Sequence, residues 1–137
     1  MGIVKHEVPH NGQAHQFFMP NGPIAILPLT ESRSAFVWTE KKFNAEQLHK
    51  LDEPTFLAEL EKRFGKFRGK ITLVGSRHIF PLSFRIADCF FGDRVALIGD
   101  AAHNIHPIAG QGLNLGIKDV ASLAETLVYA TRLGQDI

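Results

Sequence analysis

Residues 94–123, "RVALIGDAAHNIHPIAGQGLNLGIKDVASL", decide how this chain is read. The run at 94–98, "RVALI", is short, continuous and apolar, the pattern of a strand buried on both faces. A loop follows from Gly99 to about Gln111, carrying Asp100, His103, His106, Pro107 and Gly110. Beyond it Leu113, Ile117, Val120, Ala121, Ala124, Leu127 and Val128 keep a helical period to about Arg132, with Gly134 as a stop.

Three chemistries compete for this loop. Asp100, His103 and His106 have a D-x-x-H-x-x-H spacing, and imidazoles with a carboxylate suit zinc or iron. Ligands three residues apart need a helix to share a face, and Pro107 and Gly110 argue against one, so no metal is expected. Gly110, Gly112 and Gly116 resemble a dinucleotide fingerprint, but about eleven residues separate them from the strand end, where that fingerprint starts directly. The third reading is a helix start aimed at a ligand. Gly110 and Gly112 leave backbone N–H groups uncovered there, and the helix dipole favours a negative group. Asp100, at the end of the strand, is placed to accept hydrogen bonds from hydroxyls. A ligand with a polyol at one end and an acceptor that gains negative charge at the other answers both, and a flavin has that form. The alternative is a tight loop in which the glycines only make the turn and Asp100 caps.

Upstream, the chain is β-rich. "GIVKHEVPHNGQAHQFFMP" reads as a hairpin about Asn11-Gly12, a dipeptide that accepts positive φ at both turn positions. "PIAILPL" and "SAFVWT" form a second pair across "TESR", and Pro20-Asn21-Gly22-Pro23 turns the chain between the pairs, giving an antiparallel meander of about four strands. Phe17, Phe18, Phe36 and Trp38 give it bulky apolar surface, more often core than pocket lining. Two helices follow: Asn44 is expected to cap the first with Gln47 as capping-box partner, and Asp52 the second, with Pro54 in its first turn and Gly65 as its stop. "KITLVGSRHIFPLSF" returns to extended chain with Gly75 as a bulge, and Arg77 and Arg85 are read as solvated. A boundary near residue 90 separates a β-rich region, 1–90, from a strand–loop–helix region, 91–137.

The 137 residues suffice for one modest core, and a net charge of +1 carries none of the clustered basic excess of a nucleic-acid binder. One cysteine, Cys89, excludes an internal disulfide, and no apolar run reaches the ~18–20 residues of a membrane span.

Gly99 to Asp119 reads GDAAH-x-x-x-P-x-x-GQG-x-N-x-G-x-x-D. This string resembles the second FAD motif of the flavoprotein aromatic hydroxylases, and "HPIAGQGLNLGIKD" is most similar to the ubiquinone-biosynthesis hydroxylases among them. "HEVPHNGQAHQFFMPNGPIAILPL", "SAFVWT" and "FPL" extend the likeness over nearly the whole chain. The resemblance implies an α+β fragment of an FAD/NAD(P)-binding fold: a substrate-side sheet with helices, then a strand–loop–helix FAD element. It implies a monooxygenase in which NAD(P)H reduces FAD, O₂ is activated and one oxygen enters an aromatic ring, a prenyl-phenol in this branch. By motif position, Gly99 and Asp100 resemble the turn that holds a ribityl hydroxyl. Pro107 resembles the proline beside the flavin ring. Gly110, Gln111, Gly112, Leu113 and Asn114 resemble the segment whose backbone faces the pyrimidine edge. Gly116 and Asp119 are read as packing or capping residues, and His103 as a loop holder rather than a base. No catalytic residue is assigned.

Family members open with a strand–GxGxxG–helix unit and carry a central Asp-Gly motif, and this chain shows neither. It therefore reads as part of a larger hydroxylase, inactive alone, with weak or no FAD binding. Uncovered strand edges and an uncovered helix face predict that it self-associates. The resemblance further implies a cytoplasmic protein with peripheral association at the inner membrane. The competing class is a non-catalytic binding or interaction module that keeps part of the fold.

Overall fold

The computed structural model describes residues 1–107 and 110–137, which divide into two units, 1–81 and 82–137. The first unit is an antiparallel sheet with helices on one face. Its strands are β1 (Gly2–His6), β2 (His15–Met19), β3 (Gly22–Pro28), β4 (Arg33–Trp38) and β5 (Ile71–Val74), in the order β2-β3-β4-β1-β5. Successive side chains on a strand point to opposite faces, so Val4, Ile24, Ile26, Phe36 and Ile71 share one face. There they meet Phe56, Leu60 and Phe64 of the helix α2 (Glu53–Phe64), and all eight residues are at most 5% exposed. Helix α1 (Lys42–Lys50) precedes α2.

Helix α2 starts and stops where the sequence indicates. The Asp52 carboxylate accepts the Thr55 N–H at 3.4 Å, Pro54 sits in the first turn, and Gly65 ends the helix at φ +81°. Helix α1 differs from expectation. It begins at Lys42, so Asn44 already lies in its first turn and does not cap it. The Glu40 carboxylate accepts instead, from the Lys41 N–H at 3.0 Å and from Asn44 Nδ2 at 3.3 Å.

The first hairpin is also corrected. Asn11 and Gly12 take the positive φ that the turn demands, 50° and 73°, yet β1 and β2 do not pair. Strand β1 pairs instead with β4 (Ile3↔Ala35) and β5 (Ile3↔Val74), while β2 pairs with β3 about the turn at Pro20-Asn21. The cause lies in residues 7–14. Pro9 has no N–H for a ladder, and the segment is strapped down by Arg68, whose guanidinium donates to the carbonyls of Pro9 at 2.7 Å and His10 at 3.4 Å. Arg77 is not simply solvated. It donates to the Leu51 carbonyl at 2.6 Å, satisfying the end of α1, with its guanidinium 4.3 Å from the Phe56 ring centre. Gly75, at φ +74°, follows β5 and does not bulge it.

The second unit holds β6 (Arg85–Ile86), β7 (Phe91–Gly92), β8 (Val95–Ala96), a 3₁₀ turn (Gly99–Ala101), β9 (His103–Asn104) and helix α3 (Gln111–Arg132). The run at 94–98 is not a strand buried on both faces. Only Val95–Ala96 is paired as a strand, antiparallel with Phe91–Gly92, and Val95 is 59% exposed. Burial on both faces requires neighbouring layers, and Arg94, at φ 54°, turns the chain into a tight hairpin before the run can extend. Helix α3 matches its expected span, and none of its described residues is buried. No described helix is long and apolar enough to cross a membrane.

Three outcomes follow from this packing. Leu60→Ala, at a side chain with no exposure, should cost about 2–5 kcal/mol in urea denaturation, the usual range for a buried Leu truncation. His6 is buried, its Nδ1–H donating to the Val8 carbonyl at 2.9 Å and its Nε2 paired with the Ser34 hydroxyl at 3.0 Å. Burial pushes its pKa below the ordinary imidazole value, so folding favours the neutral ring. Its contribution is present above the unfolded pKa and is lost as pH falls from there through the folded value. Urea midpoints at pH 7.5 and 5.5 should converge in His6→Gln relative to the parent. Finally, with Leu113, Ile117, Val120 and Val128 on α3 each about half exposed or more, light scattering at micromolar concentration should give a mass above the 15.2 kDa monomer. A clean monomer would contradict this.

Candidate functional site

The second unit builds a cleft from one turn and one helix end. Gly99, at φ +58°, makes a turn that few other residues adopt without strain. The chain there enters the 3₁₀ turn that carries Asp100. Gly112, Gly116 and Asp119 fall at i, i+4 and i+7 of α3 and so share one face. Gly116 lets that face approach the turn closely, since a Cβ on it would stand 3.4 Å from the Gly99 Cα.

Asp119 locks the approach. Its Oδ2 accepts the Gly99 N–H at 2.9 Å and the His103 Nε2–H at 2.6 Å. The Gly99 amide, and then His103, hold its carboxyl below the usual carboxylate range, so it is ionised at neutral pH. His103 is fixed in turn by the β6–β9 pairing, Ile86↔His103, and its ring stands edge-on to Phe90. This places His103 as a loop holder. Its Nε2 is committed to Asp119, and among the described residues no group of three His, Cys, Asp or Glu is placed to hold a metal ion.

Gly110 is the N-cap of α3, in the left-handed conformation at φ 62°. It has no side chain with which to cover the N–H groups of the first turn. Among the described residues, a Cβ on Gly110 or on Gly112 would meet no heavy atom within 4 Å. The cavity in front of this helix end measures about 530 Å³, within the ~300–1,000 Å³ of ordinary ligand sites.

Six of the eight candidate cofactor residues line it: Gly99, Asp100, Pro107, Gly110, Gly112 and Leu113. Gln111 and Asn114 do not line it. Asn104, Ile105 and Gly116 join the lining without having been expected there. The helical phase of Gly112, Gly116 and Asp119 was the sequence signal for the face on which the turn rests. The arrangement suits the flavin form described above. An exposed carboxylate sits at one side for hydroxyls, the start of α3 with a glycine rather than a capping side chain at its N-cap sits at the other, where the helix dipole favours an acceptor gaining charge, and exposed Leu113 supplies apolar surface.

The FAD binding domain family matches residues 4–135. Ubiquinone hydroxylase UbiL of Rhodospirillum rubrum is 49% identical over 133 residues, 97% of this chain and 31% of its own length. The 3-demethoxyubiquinol 3-hydroxylase of Escherichia coli is 40% identical over 120 residues, 88% of this chain and 30% of its own. The chain thus spans about a third of the curated relatives it matches. Among solved structures, the flavin-dependent halogenase CmlS superposes with a TM-score of 0.78 at 18% identity, over 97% of this chain and 26% of that one. PqsL of Pseudomonas aeruginosa gives 0.60 at 24% identity, over 95% and 38%. At these identities the superpositions speak for the fold, an α+β portion of an FAD-binding architecture. With nearly its whole length matched, and as its resemblance to the flavoprotein aromatic hydroxylases implied, this chain belongs to the FAD binding domain family.

Proposed function

We propose that this chain is part of an FAD-dependent monooxygenase that hydroxylates an aromatic ring, a prenylated phenol of ubiquinone biosynthesis, with NAD(P)H and O₂ as co-substrates. In this reading residues 1–90 form the substrate-side sheet and residues 91–137 one wall of the FAD site. The observation that carries it is the cleft lined both by the exposed Asp100 carboxylate and by Gly110, Gly112 and Leu113 at the start of α3. The names of the relatives support it.

Bound FAD would supply the electron transfer and oxygen activation, which no side chain can provide. The chain's own residues bind and orient. Asp100 accepts hydrogen bonds from ribityl hydroxyls, and a fixed anion there disfavours phosphate. Backbone N–H groups of Gly112 and Leu113 in the first turn of α3 would receive the pyrimidine edge and favour the negative charge it gains on reduction. Pro107 flanks the ring. Gln111 belongs to the same helix start. No catalytic base is assigned.

Of the four meander aromatics, Phe36 is in the core, and Phe17 and Trp38 pack against it. Phe18, 74% exposed, remains available to a greasy substrate. Peripheral association with a membrane surface, where such a substrate resides, belongs to this proposal. The uncovered face of α3 favours a second reading, a non-catalytic interaction module, which predicts a stable complex with a partner and no response to flavin.

FAD fluorescence quenching on the purified chain separates the two. Micromolar binding weakened at least tenfold by Asp100→Ala, about 1.4 kcal/mol, is expected of the cofactor site. Binding indifferent to Asp100→Ala would contradict it, and no binding at high micromolar FAD would mean that this chain alone forms no working half-site.

A further inference from the structure

We infer that Asp119, which lines no part of the cleft, is a positioning residue for FAD: it fixes the Gly99–Asp100 turn against α3 and so sets where the Asp100 carboxylate stands. The inference rests on the cofactor reading of the cleft and adds a residue to it.

The geometry is specific. One carboxylate oxygen accepts two donors from opposite sides of the turn, the Gly99 N–H at 2.9 Å and the His103 Nε2–H at 2.6 Å. Gly99 immediately precedes Asp100, and His103 opens β9, directly after the turn. Between the two donors the backbone closes on itself, the Ala102 N–H donating to the Gly99 carbonyl at 2.9 Å. Ala102 is 2% exposed, and its carbonyl accepts the Ala87 N–H at 2.8 Å. Residues 99–103 are therefore pinned at both ends by one side chain of α3 and in the middle by β6. The lining residues of α3 itself, Gly112, Leu113 and Gly116, lie on the helix that carries Asp119. The carboxylate thereby couples the two walls of the cleft, the polyol side and the helix-start side, as one rigid piece. A hydrogen bond to an ionised acceptor is shorter and stronger than a neutral one, which suits it to this task.

The same side chain need not touch the ligand to control its affinity. A turn held in one geometry before binding loses no conformational freedom when the ligand arrives, whereas a loosened turn does. Asp119 acts through Gly99 and His103, and its effect has to appear in the turn itself as well as in ligand binding.

The test uses two variants of the 137-residue chain, Asp119→Leu, which removes the acceptor from a partly buried helical position, and Asp119→Asn, which keeps an acceptor oxygen. Two readouts are taken: FAD affinity by fluorescence quenching, and amide hydrogen exchange at Ala102 by NMR, with the amides of residues 120–127 in α3 as the internal reference. Asp119→Leu should raise the FAD dissociation constant at least tenfold and speed Ala102 exchange at least tenfold, leaving residues 120–127 unchanged. Asp119→Asn should restore both to within about threefold of the parent. Unchanged Ala102 exchange and unchanged affinity in Asp119→Leu would overturn the inference. So would equal acceleration at Ala102 and in residues 120–127, which would mean general destabilisation. If the parent chain binds no FAD, this chain alone forms no working half-site, and Ala102 exchange alone then decides the positioning role: acceleration with rescue by Asn supports it, and no change overturns it.

Discussion

The contact of Asp119 with the Gly99 amide is the constraint on which the second unit depends. The 95–98 segment is otherwise held by its two-residue hairpin, by the Leu97 N–H to Phe90 carbonyl bond and by the Arg94–Asp136 pair, and the Asp119 contact is what fixes its end, at Gly99, on α3. Glycine suits both sides of the contact for different reasons. Gly99 supplies a positive φ, and Gly116 supplies the absence of a Cβ where backbone meets backbone. Once the two segments are joined, the cleft follows. The turn carries Asp100, helix α3 begins just after its N-cap Gly110, and the space between them has a carboxylate on one side and the start of the helix on the other.

The two units solve the problem of burial in opposite ways. In the first, alternating strand residues and the i, i+4 row Phe56, Leu60 and Phe64 meet as two apolar faces, and the core is closed. In the second, the long helix α3 presents Leu113, Ile117, Val120 and Val128 outward, and the unit is held by hydrogen bonds rather than by a core. Polar locks of this kind fix geometry well and contribute modestly to stability. A unit so built keeps a defined turn while leaving a broad apolar surface for whatever packs on it.

How much of this was legible in the sequence depended on the range of the interaction. Local signals were read well. Asp52, Pro54 and Gly65 bound α2, and the period from Leu113 to Val128 gave α3 to within a residue of its start. Six of eight cofactor candidates converge on one cleft, because a spaced motif of glycines and an Asp records a local backbone path. Non-local pairing was not legible. Asn11-Gly12 carries every mark of a hairpin turn and makes one, but the strand beside β1 was chosen by Arg68 and Ile71, more than sixty residues away in sequence for the first strand's His6↔Ile71 pair. The 94–98 run showed the same limit: apolarity states what a segment tolerates, and its neighbours decide whether it is buried. Asp119 was visible as a motif position, but its hydrogen bonds required three dimensions.

In the proposed function, one small unit already shapes the cleft that would receive the flavin. Amide chemical shifts of the isotopically labelled chain, recorded as FAD is added, test that claim most directly. The predicted result is a set of perturbations confined to Gly99, Asp100 and residues 110–114, with the sheet amides of β3 and β4 unmoved. Perturbations that leave those positions still, or that fall on the sheet alone, would contradict it.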